Sequence, residues 1–183
     1  MKTHYISPFR TDKNIGKAIN DAINDLRCND EDWIVHVDQD VCFLRPDSKK
    51  QIEEILSTTD DRLLGVMTNR LNIKHQLHDS LFSENDSIQH HLSIANDCHD
   101  NYYGQVKEVK RGPIAAMVMC FKYSDWKSIG GFKENNIQFD IQFSDEIRLK
   151  GCKLGVMKGV YVFHLYRMWS NKDARFDTKH LEI

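Results

Sequence analysis

The stretch Trp33-Ile34-Val35-His36-Val37-Asp38-Gln39-Asp40 decides the fold. Its short apolar run ends abruptly in two carboxylates spaced one residue apart, which predicts a buried strand that delivers Asp38 and Asp40 to the rim of a sheet. Open α/β sheets bind ligands outside the carboxyl ends of their strands. Two neighbouring carboxylates without an adjacent Lys or Arg need a cation, and Mn²⁺ or Mg²⁺ accepts such oxygen ligands. The stretch therefore predicts a divalent metal at Asp38 and Asp40.

A second Asp-x-Asp occurs at Asp30-Glu31-Asp32, just before the apolar run. Because it lies in a polar segment and follows no strand, we interpret it as a solvated turn. A motif this short has a substantial false-positive rate, so context must select between the two matches. Because only Asp38 and Asp40 follow an apolar strand, we take them as the candidate functional pair.

Length, charge and composition narrow the class of protein. The 183 residues suffice for one domain with a sizeable core. A net charge of −2 and a pI near 6.5 give no sign of a nucleic-acid-binding surface. We expect no transmembrane segment, because no apolar run approaches the length of a membrane span, and the N-terminus has no signal-peptide core. The five cysteines include no Cys-x-x-Cys pair, so we expect reduced thiols and a cytoplasmic protein.

Strand-like and helix-like patterns alternate along the chain. The clearest helix places apolar side chains at i, i+3, i+4, i+7 and i+8 from Ile15, with Asp12 or Asn14 as its cap. Strands are predicted at 3–7, 33–37, 63–68, 114–123 and 156–162. Helices are predicted at 15–26, after Asp47 and around 88–95. Two more helices are predicted, one after a capping Ser124 and one from a capping Ser144 to Gly151. This alternation predicts an α/β fold, with a central mixed, mostly parallel sheet flanked by helices.

The chain is predicted to form one domain over residues 1–168. Within it, the polar segment 69–110 is interpreted as a substrate-facing insertion, because long loops in compact domains are usually functional. The polar residues 169–183 are interpreted as a C-terminal tail.

Three segments, in this order, resemble the nucleotide-sugar glycosyltransferases of the GT-A fold, in particular family 2. The first is Asn14-Ile15-Gly16-Lys17-Ala18-Ile19-Asn20-Asp21-Ala22-Ile23, followed by the strand and Asp38-Gln39-Asp40. The second is Gly112-Pro113-Ile114-Ala115-Ala116-Met117-Val118-Met119, followed by Trp126 and Gly130-Gly131-Phe132. The third is Phe139-Asp140-Ile141-Gln142-Phe143-Ser144, followed by Gly151-Cys152-Lys153. The resemblance covers residues 3–40 and 112–165.

The resemblance implies a Rossmann-like GT-A domain that transfers a hexose from a nucleoside diphosphate, with inversion. In this family's pattern Asp40 contacts Mn²⁺ or Mg²⁺ directly, Asp38 lies near the ribose or a metal-bound water, and His164 is the expected third ligand. Asp140 occupies the position of the general base. Nucleotide contacts are expected from Pro8, Arg10, Asn14, Lys17, Asp38 and Arg70.

The donor favoured by the resemblance is a UDP-sugar, and the acceptor is a glycan, a lipid-linked group or a protein. Family members usually have one more βα unit before the helix that begins near Asn14. Its absence from this sequence leaves room for a homo-oligomer or another partner that supplies it. Segment 7–10 is the candidate to replace it in recognising the base.

Two other classes of protein fit parts of the pattern. Haloacid dehalogenase-like phosphohydrolases also place an Asp-x-Asp after an apolar strand, with the first Asp as nucleophile and the second as acid; Thr68 would supply the later hydroxyl. The missing βα unit and Gln142, which replaces a usual acid, fit a degenerate transferase that binds a nucleotide sugar or carbohydrate without turnover.

Overall fold

A computed structural model of the chain describes residues 1–165. Its seven strands are β1 (Thr3–Ile6), β2 (Trp33–Val37), β3 (Val41–Phe43), β4 (Leu63–Thr68), β5 (Val106–Glu108), β6 (Val118–Lys122) and β7 (Leu154–His164). The five α-helices are α1 (Ile15–Asn24), α2 (Ser48–Thr58), α3 (Ile88–Tyr102), α4 (Tyr123–Ile129) and α5 (Phe139–Leu149). The expected tail, 169–183, lies outside the described residues.

The strands form one mixed sheet in the order β1-β2-β6-β4-β7-β3, with β5 also paired to β7. The prediction of an α/β fold with a mixed sheet is confirmed, but the prediction that the sheet is mostly parallel is wrong. Only β1–β2 and β4–β7 pair in parallel. Strand β6 runs antiparallel between β2 and β4, and both β3 and β5 are antiparallel to β7.

Four strands nevertheless point the same way. Because β6 is antiparallel to both of its neighbours, β2 and β4 share a direction, which β1 and β7 also share. Their carboxyl ends therefore meet at one edge of the sheet, where β6 begins. This is the edge at which α/β folds of this kind bind ligands.

Alternating side chains divide the interior into two cores, one on each face of the sheet. Ile34, Phe121 and Leu63 point to the face covered by α1, α3, α4 and α5. Trp33 and Val35 point to the opposite face, against Ile52, Ile55 and Leu56 of α2. This two-sided burial explains why β2 has a continuous apolar run rather than an alternating one.

Two helix starts differ from the sequence prediction. Helix α1 is capped by Asn14 as expected, since its side chain accepts from the Lys17 amide at 3.1 Å. Helix α4, however, begins at Tyr123, one residue before the predicted cap Ser124. Ser144 does not cap a helix, because α5 already begins at Phe139. The fully buried Ser144 hydroxyl instead accepts from the Ile114 amide at 3.0 Å.

Asp32 also corrects the sequence interpretation, because the 30–32 turn is not fully solvated. Its carboxylate is buried and accepts hydrogen bonds from the backbone amides of Lys2 and Asn29 at 2.6 and 2.9 Å. His4 lies 3.4 Å away. Asp32 thus connects the start of β1 to the turn before β2.

Strand β7 is long because it changes partners along its length. Its first half pairs with β5 and its last three residues pair with β3, on either side of a register shift opposite Val66 and Met67 of β4. The shift lets β7 continue to His164, at the same edge as the end of β2. Within residues 1–165, no helix has the length and apolar character needed to cross a membrane.

Candidate metal and ligand-binding site

Asp38 and Asp40 lie at the edge where β2 ends, as the sequence predicted. The Asp38 amide donates to the Met117 carbonyl at 2.8 Å, which continues the ladder with the segment before β6. The chain then turns, and the Val41 amide donates to the Asp38 carbonyl at 3.3 Å. This tight turn places both carboxylates on the same side of the sheet edge.

His164 reaches the same place from the end of β7. Asn69, directly after β4, fixes its backbone: the Asn69 side chain accepts from the His164 amide at 2.8 Å and donates to its carbonyl at 3.2 Å. His164 Nδ1 lies 2.8 Å from the Arg70 carbonyl. Because a carbonyl only accepts, Nδ1 is the protonated nitrogen, and Nε2 faces Asp40 Oδ1 at 3.3 Å.

Asp38, Asp40 and His164 together form a candidate metal site. One ligand atom from each lies within 4.8 Å of the other two. A backbone carbonyl that orients the distal nitrogen of a histidine is the usual outer-shell arrangement of a metal-binding imidazole. Carboxylates and imidazoles are both common ligands of divalent metal ions.

The electrostatics of the three side chains differ. Burial raises the pKa of Asp38, and the charge of Asp40 adds to the rise. Burial also opposes ionisation of Asp40, but the hydrogen bond and charge of His164 outweigh it and lower the pKa of Asp40. Burial likewise opposes protonation of His164, yet Asp40 raises the pKa of His164 overall. Such concentrations of shifted groups favour a functional site.

Asp140 lies in the first turn of α5, beside the metal cluster. Its Oδ2 accepts from the Ala116 amide at 3.4 Å, and its Oδ1 accepts from the Ile141 amide at 2.8 Å. Burial raises the pKa of Asp140, and the charge of Asp38 contributes to the rise. A carboxylate with a raised pKa is suited to accept a proton near neutral pH.

A cavity of about 710 Å³ opens beside the two aspartates. Its wall includes three predicted site residues besides Asp38 and Asp40, namely Pro8, Arg10 and Asn14, together with Phe9, Asp12, Lys13, Ile15, Ala18, Gln39, Asn135, Asn136, Ile137 and Phe139. Phe9 and Ile137 are 69% and 89% exposed, unusual values for large apolar side chains. The cavity therefore combines carboxylates with an accessible apolar surface.

The first two segments of the family resemblance contact each other along this cavity. Asn14 donates to the Asn135 side chain at 2.9 Å and accepts from its amide at 3.0 Å. Asn20 accepts from Trp126 Nε1 and from the Phe132 amide, at 3.0 and 2.8 Å. Between them, a Cβ on Gly16 would meet the Lys133 carbonyl oxygen at 2.5 Å. One face of α1 thus fixes the 126–135 segment.

Two predicted nucleotide contacts lie elsewhere. Lys17 pairs with Asp21 at 3.0 Å on the outer side of α1 and does not line the cavity. Arg70 is buried, with its guanidinium donating to the Ser83 carbonyl and to Asp86. It therefore fixes part of segment 69–110, while its own carbonyl orients His164.

The rest of segment 69–110 packs onto the sheet. It contains two 3₁₀ turns, α3 and β5. The buried His91 of α3 contacts the Tyr161 hydroxyl at 2.7 Å. Near the metal cluster, the Ser83 amide donates to the Asn69 carbonyl at 2.9 Å.

Sequence reasoning missed two residues of the site, His36 and Asn69. His36 lies two residues before Asp38, and side chains alternate along a strand, so both point to the same side of β2. A histidine within an apolar strand was the available signal. Asn69 was recognisable only as a polar residue at a strand end, and its role depends on the parallel β4–β7 pairing.

Comparison with known proteins gives no match, either to a family model or to a curated protein. The function of the chain must therefore be inferred from the site itself. Its residues bring together a candidate divalent-metal cluster, a carboxyl group with a raised pKa, and a partly apolar cavity.

Proposed function

We propose that the chain is a metal-dependent glycosyltransferase that moves a sugar from a nucleoside diphosphate, with a UDP-sugar as the favoured donor, to an acceptor hydroxyl. The observation that carries the proposal is the convergence of Asp38, Asp40 and His164 within 4.8 Å beside the 710 Å³ cavity. Residues from the loops that follow β1 and β2, from the start of α1 and from the 135–139 segment line that cavity.

The cavity chemistry fits a nucleoside diphosphate. Exposed Phe9 and Ile137 offer apolar surface for a base. Arg10 already binds Asp12 and Asp21, at 2.7 and 3.1 Å, so its charge is largely compensated. Lys13 forms no ion pair with any residue from 1 to 165 that the structure describes, and it is the cation we expect to face the diphosphate.

The reaction would divide between two sets of side chains. Asp38, Asp40 and His164 would hold Mn²⁺ or Mg²⁺, which when bound supplies positive charge for the leaving diphosphate. Asp140 would accept the proton of the attacking acceptor hydroxyl. A base on the face opposite the leaving group gives a single displacement and therefore an inverted anomeric centre.

The phosphohydrolase alternative has less support at this site. Thr68, its expected hydroxyl, is fully buried and donates to the Asn69 side chain at 3.1 Å. The non-catalytic alternative uses the same metal and nucleotide contacts, so turnover is what separates it from the proposed enzyme.

A thermal-shift panel of nucleoside diphosphates, with and without Mn²⁺, tests the proposal. Ligand at 100 times its Kd stabilises the native state by about 2.7 kcal/mol. We expect one nucleotide, UDP first, to raise Tm only with Mn²⁺, and its sugar conjugate to release nucleotide when an acceptor is added. Binding without turnover on any acceptor supports the non-catalytic module. Absence of any Mn²⁺-dependent shift contradicts the proposal.

A further inference from the structure

Two residues with left-handed backbone lie on the wall of the cavity beside Asp38 and Asp40. Lys13 has a φ of 60° and Asn135 has a φ of 54°, and both line the cavity. Positive φ is uncommon for residues other than glycine. Such backbone strain persists only where surrounding contacts hold it, and it is frequent at binding sites. The contacts that hold these two residues therefore bear on the function of the cavity.

Asn14, directly after Lys13, supplies these contacts and is 8% exposed. Its side-chain nitrogen donates to Asn135 Oδ1 at 2.9 Å, and its side-chain oxygen accepts from the Asn135 amide at 3.0 Å. We call these two hydrogen bonds the clasp. The same oxygen accepts from the Lys17 amide at 3.1 Å, which caps α1. Three of the four hydrogen-bonding positions of the Asn14 amide group are thus occupied by the chain itself.

The clasp joins two parts of the cavity wall that are far apart in sequence. One part is segment 8–15, which leads into α1, and the other is segment 135–139, which leads into α5. Phe9 belongs to the first part and Ile137 to the second, and both are largely exposed. The clasp therefore fixes the relative position of the two segments that carry the apolar surface of the cavity.

The metal cluster is held by a different set of contacts. Asp40 and His164 are fixed by the pairing of β3 with β7, and Asp38 follows β2 directly. We infer that Asn14 is a positioning residue for the nucleotide base: through the clasp it holds segment 135–139 in the position that binds the base, rather than contacting the nucleotide itself. This inference rests on the proposed function.

Two substitutions at Asn14 separate positioning from stability. Serine is as good an N-cap as asparagine, so Asn14→Ser keeps the cap of α1 but has no nitrogen to donate to Asn135. Asn14→Ala loses both the cap and the clasp, so its Tm should be the lower of the two. Ser87→Ala is the matched control, because Ser87 caps α3 by accepting from the His90 amide at 3.4 Å and does not line the cavity.

Calorimetric titration of the full chain with UDP in saturating Mn²⁺, and with Mn²⁺ alone, tests the inference, with Tm measured for each metal-free variant. Apparent affinity falls in proportion to the fraction of molecules that have the binding-competent wall. We expect UDP binding to be about 5–10-fold weaker in both Asn14 variants, the effect of one or two neutral hydrogen bonds on that fraction. Mn²⁺ affinity should stay native in both, and Ser87→Ala should bind UDP like the native chain.

Three results would overturn the inference alone: native UDP affinity in Asn14→Ser, UDP affinity that follows Tm across the three variants, or an equal loss of Mn²⁺ and UDP affinity. The last two would mean that Asn14 acts on the stability of the fold or on the whole site rather than on the wall that binds the base. A native chain that binds Mn²⁺ but neither UDP nor any other nucleoside diphosphate overturns the proposed function and this inference with it.

Discussion

His164 Nε2 and Asp40 Oδ1 lie 3.3 Å apart, although they are far apart along the chain. Two backbone contacts hold them together: β3 pairs Val41 with His164, and the Leu165 amide donates to the Asp40 carbonyl at 2.9 Å. The β3 strand has only three residues, but it contributes directly to the geometry of the site. It fixes the turn that carries Asp40 against the strand that carries His164.

Asp40→Asn is expected to abolish measurable Mn²⁺ binding. The substitution keeps the shape of the side chain but removes the charge that pairs with His164 and would neutralise the metal. We expect a loss of affinity of roughly 100-fold or more, beyond that of an outer-shell change. Titration calorimetry with Mn²⁺ measures it directly.

Asp30→Asn is the control for this experiment, because Asp30 belongs to the other Asp-x-Asp and pairs with Lys127 on the surface. It should bind Mn²⁺ like the native chain. If the native chain and Asp40→Asn bind Mn²⁺ with equal affinity, Asp40 is not a metal ligand.

Asp140→Asn is expected to lower sugar transfer by about 10²–10⁴-fold while nucleotide and Mn²⁺ binding persist. Burial raises the pKa of Asp140, and a base works only when deprotonated. Native activity should therefore fall with decreasing pH at a higher pH than an ordinary aspartate would give. Initial rates over a pH series, with affinities measured separately, test both points.

Asp145→Asn provides the matched control, since Asp145 lies one turn further along α5 and is exposed. Loss of nucleotide binding in Asp140→Asn would indicate a structural role. A product that keeps the donor's anomeric configuration would contradict the single displacement even if Asp140 proves essential.

The sequence predicted the parts of the fold that have strong periodic patterns. The apolar stripe of α1 and the continuous run of β2 are confirmed, because each buries its apolar side chains as the period requires. Strand β6 was predicted, but its direction in the sheet was not predicted. An apolar run has the same pattern in either chain direction, so it carries no information about direction. Strands β3 and β5 were missed because each has only three residues, mostly exposed, with no pattern to detect.

At the site, strand ends were predictable and tertiary contacts were not. Asp38 and Asp40 follow an apolar strand, and His164 ends another, so each was a candidate. Arg70 also follows a strand, yet its side chain turns away to bind Ser83 and Asp86. Sequence could not distinguish these cases, because the difference lies in which segment packs beside each strand end.

Asn20→Ala is expected to destabilise the fold by about 3 kcal/mol. Asn20 donates to the Phe132 carbonyl and accepts from Trp126 Nε1 and the Phe132 amide, all in the buried interior. Truncation leaves these groups without their partner, and each buried unsatisfied group costs about 1–3 kcal/mol. Urea unfolding measures the change in free energy of unfolding, and a loss below 1 kcal/mol would contradict the expectation.

Arg70→Met is expected to lower stability and leave nucleotide affinity unchanged. Methionine keeps the apolar stem but removes the donors to Ser83 and Asp86, so segment 81–87 loses two of its contacts and keeps the Ser83 amide bond to the Asn69 carbonyl. A loss of about 1.5–3 kcal/mol is the usual value for hydrogen bonds to a charged group. Thermal unfolding and nucleotide titration are both needed. Reduced nucleotide affinity in a folded variant would indicate that Arg70 contributes to ligand binding.

Asp32 gives a prediction about pH that is independent of the proposed function. Backbone donation from Asn29 and Lys2 and the nearby His4 lower the pKa of Asp32 from 3.8 to about 2, against the opposing effect of burial. A carboxyl group with a lowered folded-state pKa stabilises the fold fully above its unfolded pKa. That contribution is lost as the pH falls through the folded-state value.

Asp32→Asn should therefore destabilise the protein most above about pH 4, and progressively less as the pH falls toward 2. The neutral amide accepts the Lys2 and Asn29 hydrogen bonds more weakly than a carboxylate, so a difference of about 1.5–3 kcal/mol is expected at pH 6. Urea unfolding of both proteins from pH 6 to pH 2 measures it, with exposed Asp30→Asn as a control that should show no such trend. Because the native carboxyl becomes neutral at low pH, the two unfolding free energies should converge there. A difference that stays constant over this range would mean that the charge of Asp32 contributes nothing, and that Asp32→Asn acts only through altered packing.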